Sequence, residues 1–255
     1  MRTIADRAMW ALRHRQPAEP VQQSAIAIKS DPIPAVDDLG QVFPEYRPIH
    51  PTLSGFIDDA HAAIASLPVR DGLIQTETPG FLRPADALAL YELAWFSNAD
   101  ILELGSAWGL STSILCQAAR NAGRGRRVVS VEIDPQFQRL TARTIRRRGL
   151  SGGFRLMPGE AATVIRRLID KHRRFGLVFV DHDHSGPATA TVCRALPELM
   201  RPGGMALFHD FNDTRHRTEP DAYGVYPAVR TLLEDYRFRY LRTVGCCGLV
   251  QRLPA

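Results

Sequence analysis

Three stretches of this 255-residue chain gather groups that can move a proton or hold a charge. Asp181-His182-Asp183-His184 places two carboxylates and two imidazoles in consecutive positions, His209-Asp210 repeats the pairing, and Asn212 and Asp213 follow closely. An imidazole, with an ordinary pKa of about 6.5, suits general-base work near neutrality. Carboxylates beside it can orient the ring or offer hard oxygen ligands to a cation. The third stretch is Ile101, Leu102, Glu103, Leu104, Gly105, Ser106, followed by Gly109, Leu110 and Ser111. An apolar run that ends in glycines and opens a helix offers unpaired N–H groups to an anion, and glycine lets a ligand approach the backbone.

Positioning these groups requires a sheet. From Asp100 onward, short apolar runs alternate with longer amphipathic segments, the pattern of βαβ units around a parallel sheet. Strands are expected over Ile101–Leu104, Arg127–Ile133, Phe154–Met157, Leu177–Val180 and Met205–Phe208, with a closing pair over Phe238–Thr243 and Cys247–Gln251. The fold class is therefore α/β, Rossmann-like and doubly wound, with seven strands. In such sheets ligands bind beyond the carboxyl ends of the strands, where both the glycine run and the histidine clusters fall. Glu132, closing the second strand, then stands where a carboxylate accepts hydrogen bonds from ribose hydroxyls. A helix is expected over Phe56–Leu67 and another opening at Pro84. Residues 1–80 read as a proline-rich arm or lid carrying one early stripe, Ile4, Ala8, Met9 and Leu12, and residues 81–255 as the catalytic domain.

A nicotinamide-dependent oxidoreductase shares this logic, but G-x-G-x-x-G fails at Ala107 and at Leu110. A transition-metal hydrolase is disfavoured because H-x-H-x-D-H is absent. The run E-L-G-x-x-x-G-x-S from Glu103 to Ser111 instead resembles the first motif of class I S-adenosylmethionine-dependent methyltransferases, and most closely the catechol O-methyltransferase-like small-molecule enzymes. The resemblance continues through Glu132, Gly159-Glu160-Ala161, Phe179 to His182, and Arg201 to Gly204 before His209-Asp210. It implies a mostly parallel sheet with a reversed final strand, S-adenosylmethionine as cofactor, and methyl transfer to a small-molecule hydroxyl; a non-catalytic adenosyl-binding protein is the remaining alternative.

The cofactor contacts expected are Glu103, Gly105, Ser106, Gly109, Ser111, Glu132, Ile133, Glu160, Ala161, Asp181 and His182, with a hydroxyl of Ser111 or Thr112 meeting the methionine carboxylate. In the family, aspartates matching Asp181 and Asp210 and an asparagine hold magnesium. Here Phe211 occupies the asparagine position, which leaves Asn212 or Asp213 as the substitute in a rearranged loop and the need for Mg2+ or another divalent cation open. The family's lysine base is replaced by His184, with His209 as second choice and His182 expected against the cofactor.

Composition excludes little else. The net charge of +5 rests on 32 basic residues of which only Lys29 and Lys171 are lysines, a skew that looks like codon bias rather than a nucleic-acid surface. No apolar run approaches the roughly 20 residues that a bilayer crossing needs, and the charged N-terminus lacks a signal-peptide h-region, so a cytoplasmic protein without membrane or nucleic-acid partners is expected. Cys246 and Cys247 are adjacent, and neither a zinc site nor a mutual disulfide is expected of them. The arm either closes over the site or pairs subunits in a homo-oligomer. Asp221, Tyr223 and Tyr226 are candidates to meet an acceptor's hydroxyls.

Overall fold

The computed structural model describes residues 28–254; the stripe Ile4 to Leu12 lies outside them. After helix α1 (Asp59–Ala65) and a two-rung hairpin of β1 (Val69–Arg70) and β2 (Leu73–Ile74), helix α2 (Pro84–Phe96) leads into the sheet. There follow β3 (Ile101–Leu104), α3 (Leu110–Asn121), β4 (Val128–Glu132), α4 (Pro135–Arg147), β5 (Phe154–Pro158), α5 (Ala161–Asp170), β6 (Phe175–Val180), α6 (Gly186–Leu199) and β7 (Met200–Phe208). The chain closes with α7 (Arg215–Thr218), α8 (Val225–Leu232), β8 (Phe238–Val244) and β9 (Cys247–Arg252).

The strand order is β5-β4-β3-β6-β7-β9-β8, parallel except for β9, which runs against both β7 and β8. This is the seven-stranded, doubly wound sheet with a reversed final strand. Expected strands lie where found, with ends moved by a residue or two except at β7, which starts at Met200 rather than Met205. The reason is a register shift: Phe175 pairs with Met200 before regular pairing resumes at Leu177 and Met205. Helix α1 is shorter than the apolar stripe because Asp58 caps it, accepting from His61 N at 2.8 Å.

Alternation along the strands divides the core between two faces. Ile101, Leu177, Phe179 and Leu207 pack with α2 and α3, while Leu102, Leu104, Val178, Val180 and Phe208 face α5, α6 and α8. Helix α2 is buried from Ala85 to Ala94, so something must cover its outer side. The segment after residue 28 does so: Glu92 of α2 accepts from Tyr46 Oη at 2.7 Å and from Ile49 N at 2.9 Å, satisfying a buried carboxylate and a loop's amides together. Ile28, Leu39 and Ile49 are buried in the same cores as the sheet.

Candidate active site

The site residues hang from the last rungs of the sheet. Gly105 N donates to Val131 O at 2.9 Å, Asp181 N to Leu104 O at 2.9 Å and His209 N to Val180 O at 3.0 Å, so three neighbouring strands fix their backbones. Gly105 has φ +90°, and a Cβ there would stand 2.0 Å from the Asp181 carbonyl oxygen. Its glycine is demanded by this strand-end crowding, a different cause from the ligand approach expected of it. A Cβ built on Gly109, at φ +87°, would stand 3.1 Å from Thr141 Cα, and Gly109 borders neither cavity described below.

Glu103 also departs from expectation. It is fully buried below the turn, and its carboxylate accepts from Ser111 Oγ, Thr112 Oγ1 and Ser130 Oγ, each at 2.6 Å. Burial pushes its pKa up to about 7 while the three hydroxyls pull it down. Glu103 thus anchors the start of α3 to β3 and β4, and the hydroxyls of Ser111 and Thr112 donate to it. Glu132 accepts from Ser106 N at 3.1 Å, Ala107 N at 2.9 Å and Asp134 N at 3.0 Å, which holds the glycine turn in shape. Ala107 sits in the left-handed region with φ +43°.

Two cavities meet at this turn. The larger, about 700 Å³, is bounded by Gly105, Ser106, Ser111, Asp181, His184, His209, Asp210 and Arg215, and by the aromatic wall of Phe81, Trp108 and Phe137. The smaller, about 420 Å³, is bounded by Ile133, Gly159, Glu160, Ala161 and His182. Gly105 borders both. Ile133, 64 % exposed, presents an apolar face to the smaller one, as a flat heterocycle would need.

In the larger cavity two imidazoles and two carboxylates interlock. His184 Nε2 lies 3.3 Å from Asp181 Oδ1 and 3.6 Å from Asp210 Oδ2, and His209 Nδ1 lies 3.2 Å from Asp181 Oδ1 and 3.3 Å from Asp210 Oδ1. The His209 contacts are close but poorly aligned, leaving Nδ1 without a proper hydrogen bond. Burial disfavours charge on both rings, yet Asp181 and Asp210 at His184, and Asp181 and Cys246 at His209, overturn it and raise both pKa values above the usual histidine range. Asp181 is burial-penalised too, but the two imidazoles hold its pKa well below the carboxylate range, whereas burial raises that of Asp210. Asp210 adopts φ +54°, which turns the chain back from β7. Above His184, Tyr223 stacks at 6.1 Å and Arg215 caps the tyrosine ring at 3.7 Å while contacting Asp213 and, at 3.8 Å, Asp210.

Asp181, Asp210 and Asn212, the oxygen set expected for magnesium, all border the larger cavity, and their side chains have other partners there. Phe211 is fully buried against Tyr226 and Tyr240. Asn212, the expected substitute, accepts from Gly40 N at 3.0 Å and donates to Val42 O at 2.7 Å, so its amide is committed to the arm. The inner oxygens of Asp181 and Asp210 face imidazoles. Tyr226 is tied to Pro34 O at 2.8 Å, which removes it from the acceptor candidates; Asp221 borders neither cavity, and Tyr223 alone of the three reaches the larger one. Arg215, Cys246 and the aromatic wall carried no motif in the sequence; only their meeting at one cavity distinguishes them.

Comparison with known proteins agrees with this architecture. Residues 102–211 match a family model described as a methyltransferase domain. A catechol O-methyltransferase from Niastella koreensis is 29 % identical over 158 residues, covering 61 % of this chain and 67 % of that protein. An O-methyltransferase from Bacillus cereus, solved with SAH, shares the fold at TM-score 0.56 and 22 % identity, covering 75 % of this chain and 86 % of that one. The O-methyltransferase TomG from Streptomyces achromogenes, solved with SAM, does so at TM-score 0.57 and 21 % identity, covering 80 % and 93 %.

Proposed function

We propose that this chain, whose residues 102–211 match a model of a methyltransferase domain, transfers the methyl group of S-adenosylmethionine to a hydroxyl of a small-molecule acceptor. The observation that carries this reading is the pair of cavities sharing Gly105, one apolar and slot-like, the other lined by a histidine–carboxylate cluster. The adenosine occupies the smaller cavity between Ile133, Ala161 and His182. The ribose meets Glu132 at the carboxylate that also accepts from the amides of Ser106, Ala107 and Asp134 and, at 3.5 Å, from Ser106 Oγ. The methionine end passes over Gly105 and Ser106, so the methyl carbon faces the larger cavity and the acceptor held there.

The reaction is an in-line displacement: the acceptor oxygen bonds to the methyl carbon as the sulfur–carbon bond breaks, and sulfur leaves as a neutral thioether. Alignment and removal of the hydroxyl proton are what remain for the protein to supply. His184 is the base. Asp181 and Asp210 stand beside its Nε2 and favour a proton there, leaving the Nδ1 lone pair for the acceptor's proton, the orienting logic of a carboxylate–histidine pair. No step is assigned to a divalent cation.

Calorimetric titration with S-adenosylmethionine, followed by mass-spectrometric detection of methylated products from phenol, catechol and sugar acceptors, tests the proposal. Saturable one-to-one binding with a product heavier by one methylene is expected. Absence of cofactor binding, with magnesium and with chelator alike, would overturn it.

A further inference from the structure

Behind His209, on the side away from Asp181 and Asp210, lies a second group of donors that methyl transfer does not use. Asp86 comes from the first turn of α2, His209 from the end of β7, and Cys246 and Cys247 from the tight turn between β8 and β9. All four are buried, and one ligand atom from each lies within 4.8 Å of the others. Cys246 Sγ is 3.3 Å from His209 Nε2 and 3.3 Å from Asp86 Oδ2, and His209 Nε2 is 4.0 Å from Asp86 Oδ2. A tetrahedral centre with bonds of about 2.0 to 2.3 Å requires ligand-to-ligand edges of roughly 3.3 to 3.8 Å. The three edges among Asp86, His209 and Cys246 stand at or near that length, and those to Cys247 lie within 4.8 Å.

We propose that Asp86, His209, Cys246 and Cys247 form a tetrahedral zinc site that braces the histidine wall of the acceptor cavity. Two sulfurs, one imidazole nitrogen and one carboxylate oxygen suit a borderline-soft divalent ion and argue against magnesium or calcium. The remaining nitrogen of the His209 ring stands beside two carboxylates, the outer support that metal-bound histidines commonly have, and this arrangement keeps the Nδ1 proton and frees Nε2 for the ion. Adjacent cysteines are an unpromising zinc pair in an extended strand, because successive side chains point to opposite faces. Here Gly245 turns with φ +54° and lies so close to Asp86 that a Cβ would come within 2.1 Å of its Oδ1, and the turn brings both thiols to the same carboxylate. Cys246 and His209 border the larger cavity, which gives the ion an entry path.

The test is cobalt(II) titration of chelator-stripped full-length protein. One equivalent should bind with a thiolate-to-cobalt charge-transfer band in the near ultraviolet and the intense visible bands of tetrahedral cobalt, and added zinc should bleach both. Cys246→Ser and Cys247→Ser should each weaken the ion's binding by at least about tenfold and diminish the thiolate band. Cys193→Ser, at a buried thiol outside the cluster, should leave the spectrum intact. A wild-type titration without the thiolate band, or a band unaltered in both serine variants, would overturn the proposal. The wild-type spectrum decides the matter even where a serine variant folds poorly, and it is read independently of cofactor binding.

Discussion

At the residue scale the decisive feature of the proposed mechanism is the protonation of His184, its proposed base. A base must be neutral to act, and Asp181 and Asp210, outweighing burial, raise its pKa above the ordinary 6.5. Turnover should therefore climb with pH through a pKa higher than that of a free histidine. Asp210→Asn removes one of the two stabilising charges, so the acidic limb of the pH–rate profile should move to lower pH. His184→Ala should reduce kcat by roughly a hundredfold or more with cofactor affinity retained. An acidic limb that stays in place in Asp210→Asn, or full turnover in His184→Ala, would move the base elsewhere. The sequence shows this histidine because it lies three residues after a strand-end aspartate. It does not show the raised pKa, which needs Asp210 to arrive from the next strand.

At the scale of elements, the β3–α3 turn is held from both sides. Glu132 binds its amides from β4, Glu103 ties its helix to the strand, and the end of β6 crowds Gly105. Gly105→Ala meets both a left-handed backbone and the Asp181 carbonyl, whereas Gly123→Ala, at φ +65° with open space around it, meets only the backbone term. The first should destabilise the protein by about 2 kcal/mol or more and abolish cofactor binding; the second should cost about 1 kcal/mol and leave binding intact. Equal losses in chemical denaturation would show that the strand-end contact carries no weight. The strands themselves were readable because parallel strands buried on both faces are continuous apolar runs. The roles of the motif acids were not, since a carboxylate facing a ligand and one facing three hydroxyls look alike in sequence.

At the scale of the whole molecule, the segment after residue 28 acts as part of the catalytic body. Asn212 is its fastening nearest the site, bonded to Gly40 and Val42, and Gly40 and Phe43 border the acceptor cavity. Asn212→Ala removes two partly buried hydrogen bonds, to Gly40 N and Val42 O, a loss of about 1 kcal/mol each. We expect a lower Tm and a raised KM for the acceptor with unchanged affinity for S-adenosylmethionine. Unchanged Tm and KM would mean that this fastening does not shape the cavity.

The amino-acid sequence by itself determined the alternation of strands and helices, the glycine turn, and the placing of His184, His209 and Asp210 at strand ends, because these follow from patterns spanning a few residues to one βαβ unit. Tertiary structure decided which groups meet. Asn212 reaches the arm across 172 positions and Cys246 reaches Asp86 across 160. Such contacts depend on the reversed strand returning the chain to α2, and the physical cause is the order in which strands join the sheet, which no local pattern encodes.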